Sequence, residues 1–188
     1  MKKQIILVDS NAYFRLYLHL LPFLGKPIGE YVFYILPELE NEYKKSNRLK
    51  EKFDHFFSKE YVEDRKNTLK TSPNNLKKVM GYKEFIKRIA RSSGFTVSPV
   101  DIAYLAYCYH LNCPVVTDDK EMRELAKELD IKTFSLLEVL KLLYDNNLLI
   151  IEKIRKIVGH MNWSKDNSEP NLISKYEKMF KEKFPDYP

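Results

Sequence analysis

Short apolar runs alternate with amphipathic segments along most of the chain. The run at 4–8 is too apolar for either face of a strand to be exposed to solvent, so it predicts a buried strand. The run at 31–36 is rich in aromatic and β-branched residues, which also favours a strand. The predicted strands are 4–8, 31–36, 114–117 and 131–134.

Helical periodicity fills the segments between and after these strands. Strands that alternate with helices are typical of a parallel sheet covered on both faces. The sequence therefore predicts an α/β fold, a three-layer α/β/α sandwich with a short, mainly parallel central sheet. The predicted helices are 12–21, 37–45, 98–111, 119–130, 135–145, 148–158 and 173–184, with two or three more between 46 and 93.

The length of 188 residues suits one domain with an elaboration. We expect 1–145 to form the main domain, with 44–93 as a basic helical insertion. The remainder, 146–188, is predicted to be a C-terminal helical extension. Trp163 and the last amphipathic segment can pack on the helices of the sandwich or meet a second subunit, which makes a homodimer one alternative.

Positive charge is concentrated in one quarter of the chain. Between residues 44 and 91 there are fifteen Lys and Arg against six Asp and Glu, whereas the rest carries seventeen against twenty. This pattern fits a nucleic-acid contact, and it equally fits a solvated lysine-rich helical surface. The candidate nucleic-acid-binding residues are Lys44, Lys45, Arg48, Lys52, Arg65 and Lys66.

The two cysteines, Cys108 and Cys113, are too few and too close for a disulfide framework, which favours a reducing, cytoplasmic location. Together with His110 they offer only three zinc ligands, and Cys108 lies in an apolar helix, so we disfavour zinc. No stretch approaches the roughly 20 apolar residues of a membrane span.

Carboxylates follow two of the predicted strands directly. Asp9 comes after the first strand, and it can either cap the next helix or bind a ligand. Because Ser10 and Asn11 are good capping residues themselves, we favour a ligand for Asp9. Ligands of open parallel sheets bind outside the carboxyl ends of the strands.

Asp118 and Asp119 follow the third predicted strand. We expect Asp118 to cap the next helix, with Glu121 three residues on as its partner, which leaves Asp119 to face a ligand. Two adjacent carboxylates repel each other unless cations or donors compensate them.

Three further acids have strong structural explanations. Asp101 lies three residues after Ser98, which is the spacing of a capping box. Glu38 and Glu42 share one face of the helix after the second strand, where acids favour the helix dipole. Considered alone, each of these acids is explained by helix stability.

The joint pattern points to a metal. Carboxylates at neighbouring strand ends can share one cation, since parallel strands lie about 4.8 Å apart. Oxygen-only ligands select the hard ions Mg²⁺ or Mn²⁺ over zinc. Acids beside a basic surface are typical of metal-assisted cleavage of a phosphodiester.

The motifs "LVDSNAYF", "ILPELENEY", "SPVDIAYLAY" and "VVTDD", in this order, resemble those of the PIN-domain nucleases over roughly residues 4 to 145. The resemblance implies a metal-dependent endoribonuclease that leaves a 5′-phosphate and a 3′-hydroxyl. Its acids fall on Asp9, Glu42 (with Glu38 the alternative), Asp101 and Asp119, of which the three aspartates would ligate Mg²⁺ or Mn²⁺. Asn11, Thr117 and Asp118 fall in supporting positions.

The basic insertion and the C-terminal extension depart from a compact PIN domain and leave the substrate open between RNA and single-stranded DNA. One rival interpretation is a PIN-like RNA-binding or scaffold module without catalysis. Another is a toxin restrained by a small antitoxin-like protein, which family analogy alone suggests. Tyr104, Tyr107 and Tyr109 can form a stacking platform, although an apolar helix favours a core position for them.

Overall fold

A mixed five-stranded sheet lies between two layers of helices in this computed structural model, which describes residues 3–19, 23–164 and 169–186. The strands are β1 (Gln4–Val8), β2 (Pro27–Ile28), β3 (Tyr31–Tyr34), β4 (Val115–Val116) and β5 (Thr133–Phe134). Their order is β2-β3-β1-β4-β5, and all neighbours are parallel except β2 and β3. The predicted three-layer α/β fold is confirmed.

Four of the strands coincide with predicted ones, and β1 has the predicted bounds. The sequence analysis missed β2, which is two residues long and antiparallel to β3. Its partners in the sheet, and not its own composition, make it a strand.

Ten α-helices and one short 3₁₀-helix lie in the described part of the chain. They are α1 (Ser10–His19), α2 (Glu38–Lys45), α3 (Asn47–Lys52), a 3₁₀-helix (Asp54–Phe57), α4 (Lys59–Arg65), α5 (Pro73–Ser92), α6 (Pro99–Leu111), α7 (Lys120–Glu128), α8 (Leu136–Asp145), α9 (Ile151–Trp163) and α10 (Leu172–Phe180). The predicted end of the first helix, at residues 20 and 21, lies outside the described residues. Among these residues no helix is long and apolar enough to cross a bilayer.

Successive residues of β1 point to opposite faces of the sheet. Ile6 and Val8 belong to one buried cluster, which also receives side chains from α1, α8, α9 and α10. Leu7 belongs to a second cluster, built mainly by α5, α6 and α7. The alternation along β1 therefore accounts for the two helical layers.

The basic insertion contributes to both layers. Phe53, Phe56 and Tyr61, from the segment around the 3₁₀-helix, are buried in the first cluster. Val79 and Ile86 of α5 are buried in the second cluster, where α5 packs along α6. The C-terminal helices α9 and α10 also bury side chains in the first cluster.

The strands β1, β3, β4 and β5 all end at the same edge of the sheet. Each is followed closely by a helix, α1, α2, α7 and α8 respectively. This carboxyl edge brings together residues that are far apart in sequence.

Candidate metal centre

Asp9 occupies the position that joins β1 to α1. Its Oδ1 accepts a hydrogen bond of 2.6 Å from the backbone N–H of Ala12, and its own carbonyl accepts one of 2.8 Å from Tyr13. Asp9 therefore caps α1, and the prediction that Ser10 and Asn11 take over this role was wrong. The side chain of Ser10 is buried and that of Asn11 is exposed, and neither forms the cap.

The cap does not neutralise the cost of burying Asp9, whose side chain is almost inaccessible. Burial raises the pKa of Asp9 from 3.8 to about 7, against the lowering effect of hydrogen bonding from Thr117 and Ala12. The negative charges of Asp101 and Asp118 raise the pKa of Asp9 further. Among the residues that the structure describes, no Lys, Arg or His side chain is a main cause of a lowered pKa for Asp9, although a buried carboxylate is normally paired with a cation.

Asp101 lies at the start of α6 in the predicted capping box. Its backbone N–H donates to Ser98 Oγ over 3.1 Å, and its Oδ2 accepts from the backbone N–H of Ser98 over 2.9 Å. Burial nevertheless raises the pKa of Asp101, hydrogen bonding to Ser98 lowers it, and the charge of Asp119 raises it. The capping box is confirmed, and it leaves Asp101 near the other acids.

Glu42 and Glu38 have different surroundings in the structure. Burial raises the pKa of Glu42, the hydroxyl of Ser10 lowers it, and the charge of Asp101 raises it. The Oε2 of Glu42 is buried and has no hydrogen-bond partner within the described ranges. Glu38 instead accepts a 2.9 Å hydrogen bond from Lys83 Nζ on α5, so its charge is compensated. Of the two, Glu42 is the one that belongs with Asp9 and Asp101.

The cap of α7 is formed by Asp119 and not by Asp118, so the prediction that Asp118 caps this helix was wrong. Asp119 caps α7, because its Oδ1 accepts a 2.7 Å hydrogen bond from the backbone N–H of Met122. Its side chain is exposed, and its own N–H donates to Thr117 Oγ1 over 3.1 Å. The predicted partner Glu121 instead accepts from the backbone N–H of Thr96.

Asp118 is buried, and its partners lie on α8 and α1 in the layer of the first cluster. Its Oδ1 accepts a 3.0 Å hydrogen bond from Leu136 at the start of α8, and its Oδ2 lies 3.7 Å from a guanidinium nitrogen of Arg15. Burial raises the pKa of Asp118 to about 6, the Leu136 N–H lowers it, the charge of Glu169 raises it, and Arg15 and Arg123 lower it.

Asp9, Glu42 and Asp101 are close enough for the charge of Asp101 to raise the pKa of the other two. Within residues 3–19, 23–164 and 169–186, however, no group of three or more His, Cys, Asp or Glu side chains converges as a metal site requires. The donor chemistry fits a hard cation, and so does the uncompensated negative charge. The described acids are therefore neighbours, but their side chains do not form a closed coordination sphere.

The predicted nucleic-acid-binding residues differ in their exposure. Arg65 is only 5% exposed, stacks on the Phe56 ring at 3.6 Å from its centroid, and donates to the Phe56 carbonyl over 2.8 Å. Its assignment to a nucleic-acid surface was wrong, because its guanidinium is occupied inside the protein. The remaining candidates are exposed: Lys44, Lys45, Arg48, Lys52 and Lys66.

Sequence reasoning missed Lys83, which lies beside Glu38 at this edge. The two residues are 45 positions apart, so no local spacing could have paired them. It also missed Glu169, a buried acid whose ion pairs with Arg123 and Lys175 join the segment before α10 to α7.

Comparison with solved structures shows a distant likeness of fold. No family model matches the chain, and no curated protein matches it significantly. The crystal structure of FitAcB from Neisseria gonorrhoeae is similar with a TM-score of 0.45 and 14% sequence identity. The similarity covers 70% of this chain and 97% of that one. At this distance, the interpretation of the site depends on its own geometry.

Proposed function

We propose that this protein is a PIN-like, Mg²⁺- or Mn²⁺-dependent endoribonuclease whose reaction takes place at the carboxyl edge of the sheet. The observation that carries the proposal is the group of uncompensated acids, Asp9, Glu42 and Asp101, which share one neighbourhood and all have a raised pKa. Burying such acids next to one another disfavours the folded state unless a cation joins them. A strong perturbation of this kind is typical of functional sites.

Asp9 and Asp101 would hold the ion, with Asp119 as the exposed third ligand and Glu42 completing the site or holding a water. A bound Mg²⁺ or Mn²⁺ would lower the pKa of a water and offset charge on the phosphate. The protein itself fixes the acids: the α1 cap holds Asp9, the capping box holds Asp101, and the α7 cap holds Asp119. In-line attack on the phosphodiester would leave a 5′-phosphate and a 3′-hydroxyl.

Asp118 has a different part in this proposal. Its carboxylate is engaged by the N–H of Leu136 and by Arg15, so it supports the edge of the sheet and does not face the ion. The exposed lysines of the insertion would bind the phosphate backbone without reading its sequence.

The test is cleavage of single-stranded RNA by the purified protein in Mn²⁺, in Mg²⁺ and in EDTA. We expect Asp101→Asn to cleave RNA at least about 100-fold more slowly than the wild type, because losing even an outer partner of a metal ligand commonly costs 10- to 100-fold in activity. The matched control is Asp145→Asn, an exposed acid paired with Lys141 on α8, which should cut at the wild-type rate. Equal rates for the folded Asp101→Asn protein and the wild type would refute the proposal.

The absence of a converged group of acids in the described part of the chain favours a second candidate, an RNA-binding module without catalysis. That module would bind RNA in EDTA and would gain no thermal stability from Mn²⁺, whereas a metal site is stabilised by its ion through mass action. The small antitoxin-like partner and the homodimer stay predictions. Copurification with the product of a neighbouring gene, and sedimentation of the protein alone, would test them.

A further inference from the structure

The far end of α6 carries an open groove that the carboxylates do not use. It has a volume of about 770 Å³ and lies between α5 and α6. Its lining residues are Lys78, Gly81, Tyr82, Phe85, Tyr109 and His110.

Aromatic rings form one wall of this groove. Tyr82 lies 5.0 Å from Tyr109 and 6.0 Å from His110 between ring centroids, and Phe85 lies 6.0 Å from Tyr109. Tyr104 and Tyr107 are buried, as their apolar helix predicts, but Tyr109 is 41% exposed. The expectation of a core position is therefore wrong for Tyr109.

The helix that carries Tyr82 and Phe85 has an excess of positive charge. The α5 segment carries six Lys and Arg residues and one Glu, an excess of five positive charges over twenty residues. Among the described residues that line the groove there is no Asp or Glu. An aromatic wall beside cations and without acids favours a ligand that has both flat rings and negative charge.

Gly81 adds an independent observation. It lies in the interior of α5, where glycine costs about 0.5 to 1 kcal/mol relative to alanine. A Cβ at this position would meet no described atom within 4 Å, so packing inside the protein does not require glycine here. At Gly81 the lining of the groove therefore has no side chain.

We propose that this groove binds single-stranded RNA, with bases stacked on Tyr109 and its neighbouring rings and with phosphates near Lys78. The choice of RNA rests on the proposed function, whereas the binding itself can be measured without cleavage. A single strand fits because its base faces are open to stacking, and those of a duplex are not.

One acid of the candidate site, Asp101, lies on the same helix as the Tyr109 side of the groove. Asp101 is in the first turn of α6, and Tyr109 is eight residues later, about 12 Å along the axis at 1.5 Å per residue. Lys83 lies between the two regions, because its Nζ hydrogen-bonds to Glu38 and lies 5.8 Å from the Tyr107 ring. A strand held in the groove can therefore extend toward the carboxyl edge.

The test is fluorescence anisotropy of a labelled short oligoadenylate, titrated with the full-length protein in EDTA. We expect Tyr109→Ala to weaken binding by about 5-fold or more, the loss expected from removing one stacked base. Tyr109→Phe should bind like the wild type, since it keeps the ring. Tyr144→Ala, which removes another exposed tyrosine on α8, is the matched control and should also bind like the wild type.

Gly81→Leu keeps the test independent of folding. Leucine is a better helix former than glycine, so the variant should melt at or above the wild-type temperature while it fills the groove. We expect it to bind the oligoadenylate at least about 5-fold more weakly. An abasic oligonucleotide of the same length should bind the wild type as weakly as oligoadenylate binds Tyr109→Ala.

Wild-type affinity in both Tyr109→Ala and Gly81→Leu would overturn the groove proposal. So would a change in oligomeric state in place of a change in RNA affinity, because the groove would then be a protein interface. Either result leaves the cleavage test unaffected. Conversely, loss of oligoadenylate binding in these variants would stand even if the protein cut no RNA.

Discussion

Two of the regions in which the molecule buries charge differ in how they compensate it. In the first cluster, Asp64 and Arg65 are 2% and 5% exposed, and both are surrounded by partners. Burial raises the pKa of Asp64, but hydrogen bonds from Leu24 over 3.0 Å and from Tyr13 over 3.4 Å, together with the charge of Lys26, lower it. Arg65 donates to Phe56 and lies 3.4 Å from Glu40.

At the carboxyl edge, Asp9 is just as buried, but the charged side chains that shift its pKa are the acids Asp101 and Asp118. The burial of a charge therefore does not distinguish structure from function in this protein. Its partners do: removing one partner of a compensated buried charge destabilises the fold, whereas a buried acid surrounded by like charges marks the candidate site. Removing the charge should accordingly change the stability of the protein in opposite directions at the two places.

The largest effect should come from Asp9→Asn in the metal-free protein, which we expect to be more stable than the wild type by about 2 to 4 kcal/mol at pH 8. Asparagine can still accept the hydrogen bond from Ala12. The pKa of Asp9 is about 7 in the folded protein against 3.8 ordinarily, so the folded state holds a proton that the unfolded chain has released. Stability from this group is lost as the pH rises from about 4 through about 7.

Urea denaturation of both proteins in EDTA at several pH values measures this effect. The gain from Asp9→Asn should shrink steadily as the pH falls from 8 to 4, because the wild-type carboxyl becomes protonated. A variant less stable than the wild type across this range would place Asp9 with the compensated charges.

The next largest effect should be a loss of stability. Arg65→Ala should destabilise the protein by about 1 to 3 kcal/mol, because it removes the contact with the Phe56 ring and leaves buried acceptors unpaired. The neighbouring Lys66→Ala, at an exposed position, is the matched control and should change stability by less than about 0.5 kcal/mol. If thermal melts show equal stability for both variants, the account of Arg65 as a structural residue is wrong.

The smallest effect should separate the two glutamates of α2. Glu42→Gln should stabilise the metal-free protein less than Asp9→Asn does, because Glu42 is only partly buried but has a raised pKa. Glu38→Gln breaks the ion pair with Lys83 and should be neutral or slightly destabilising. Chemical denaturation in EDTA at pH 8 compares them, and a reversed order would make Glu38 the second acid of the site.

The sequence determined the elements better than it determined the roles of individual side chains. The bounds of β1 and the Ser98 capping box follow from local pattern, and both were predicted. Asp118 and Asp119 are both capable caps, and only the direction of each side chain at the end of β4 decides between them.

Longer-range contacts account for the other errors. Arg65 lies in the basic segment of the sequence, which suggested an exposed nucleic-acid-binding residue. Its burial depends on contacts with Phe56 and Glu40, which belong to other elements. Because α6 is apolar on all sides, its sequence does not reveal that Tyr109 alone among its three tyrosines reaches the surface. Asp9 and Asp119 could be singled out because the ends of parallel strands meet at one edge, whereas Glu42 and Asp101 became candidates only through the family resemblance. The ligand roles of all four stay predictions.

The most direct measurement of the central claim is calorimetric titration of Mn²⁺ into the wild-type protein and into Asp9→Asn, with Asp145→Asn as the matched control. The account predicts saturable binding to the wild type and to Asp145→Asn, and its loss in Asp9→Asn. A repeat with non-cleavable RNA present covers a site that needs its substrate to recruit the ion. Absence of binding to the wild type under both conditions, or undiminished binding to Asp9→Asn, would contradict the assignment of Asp9 to a metal centre.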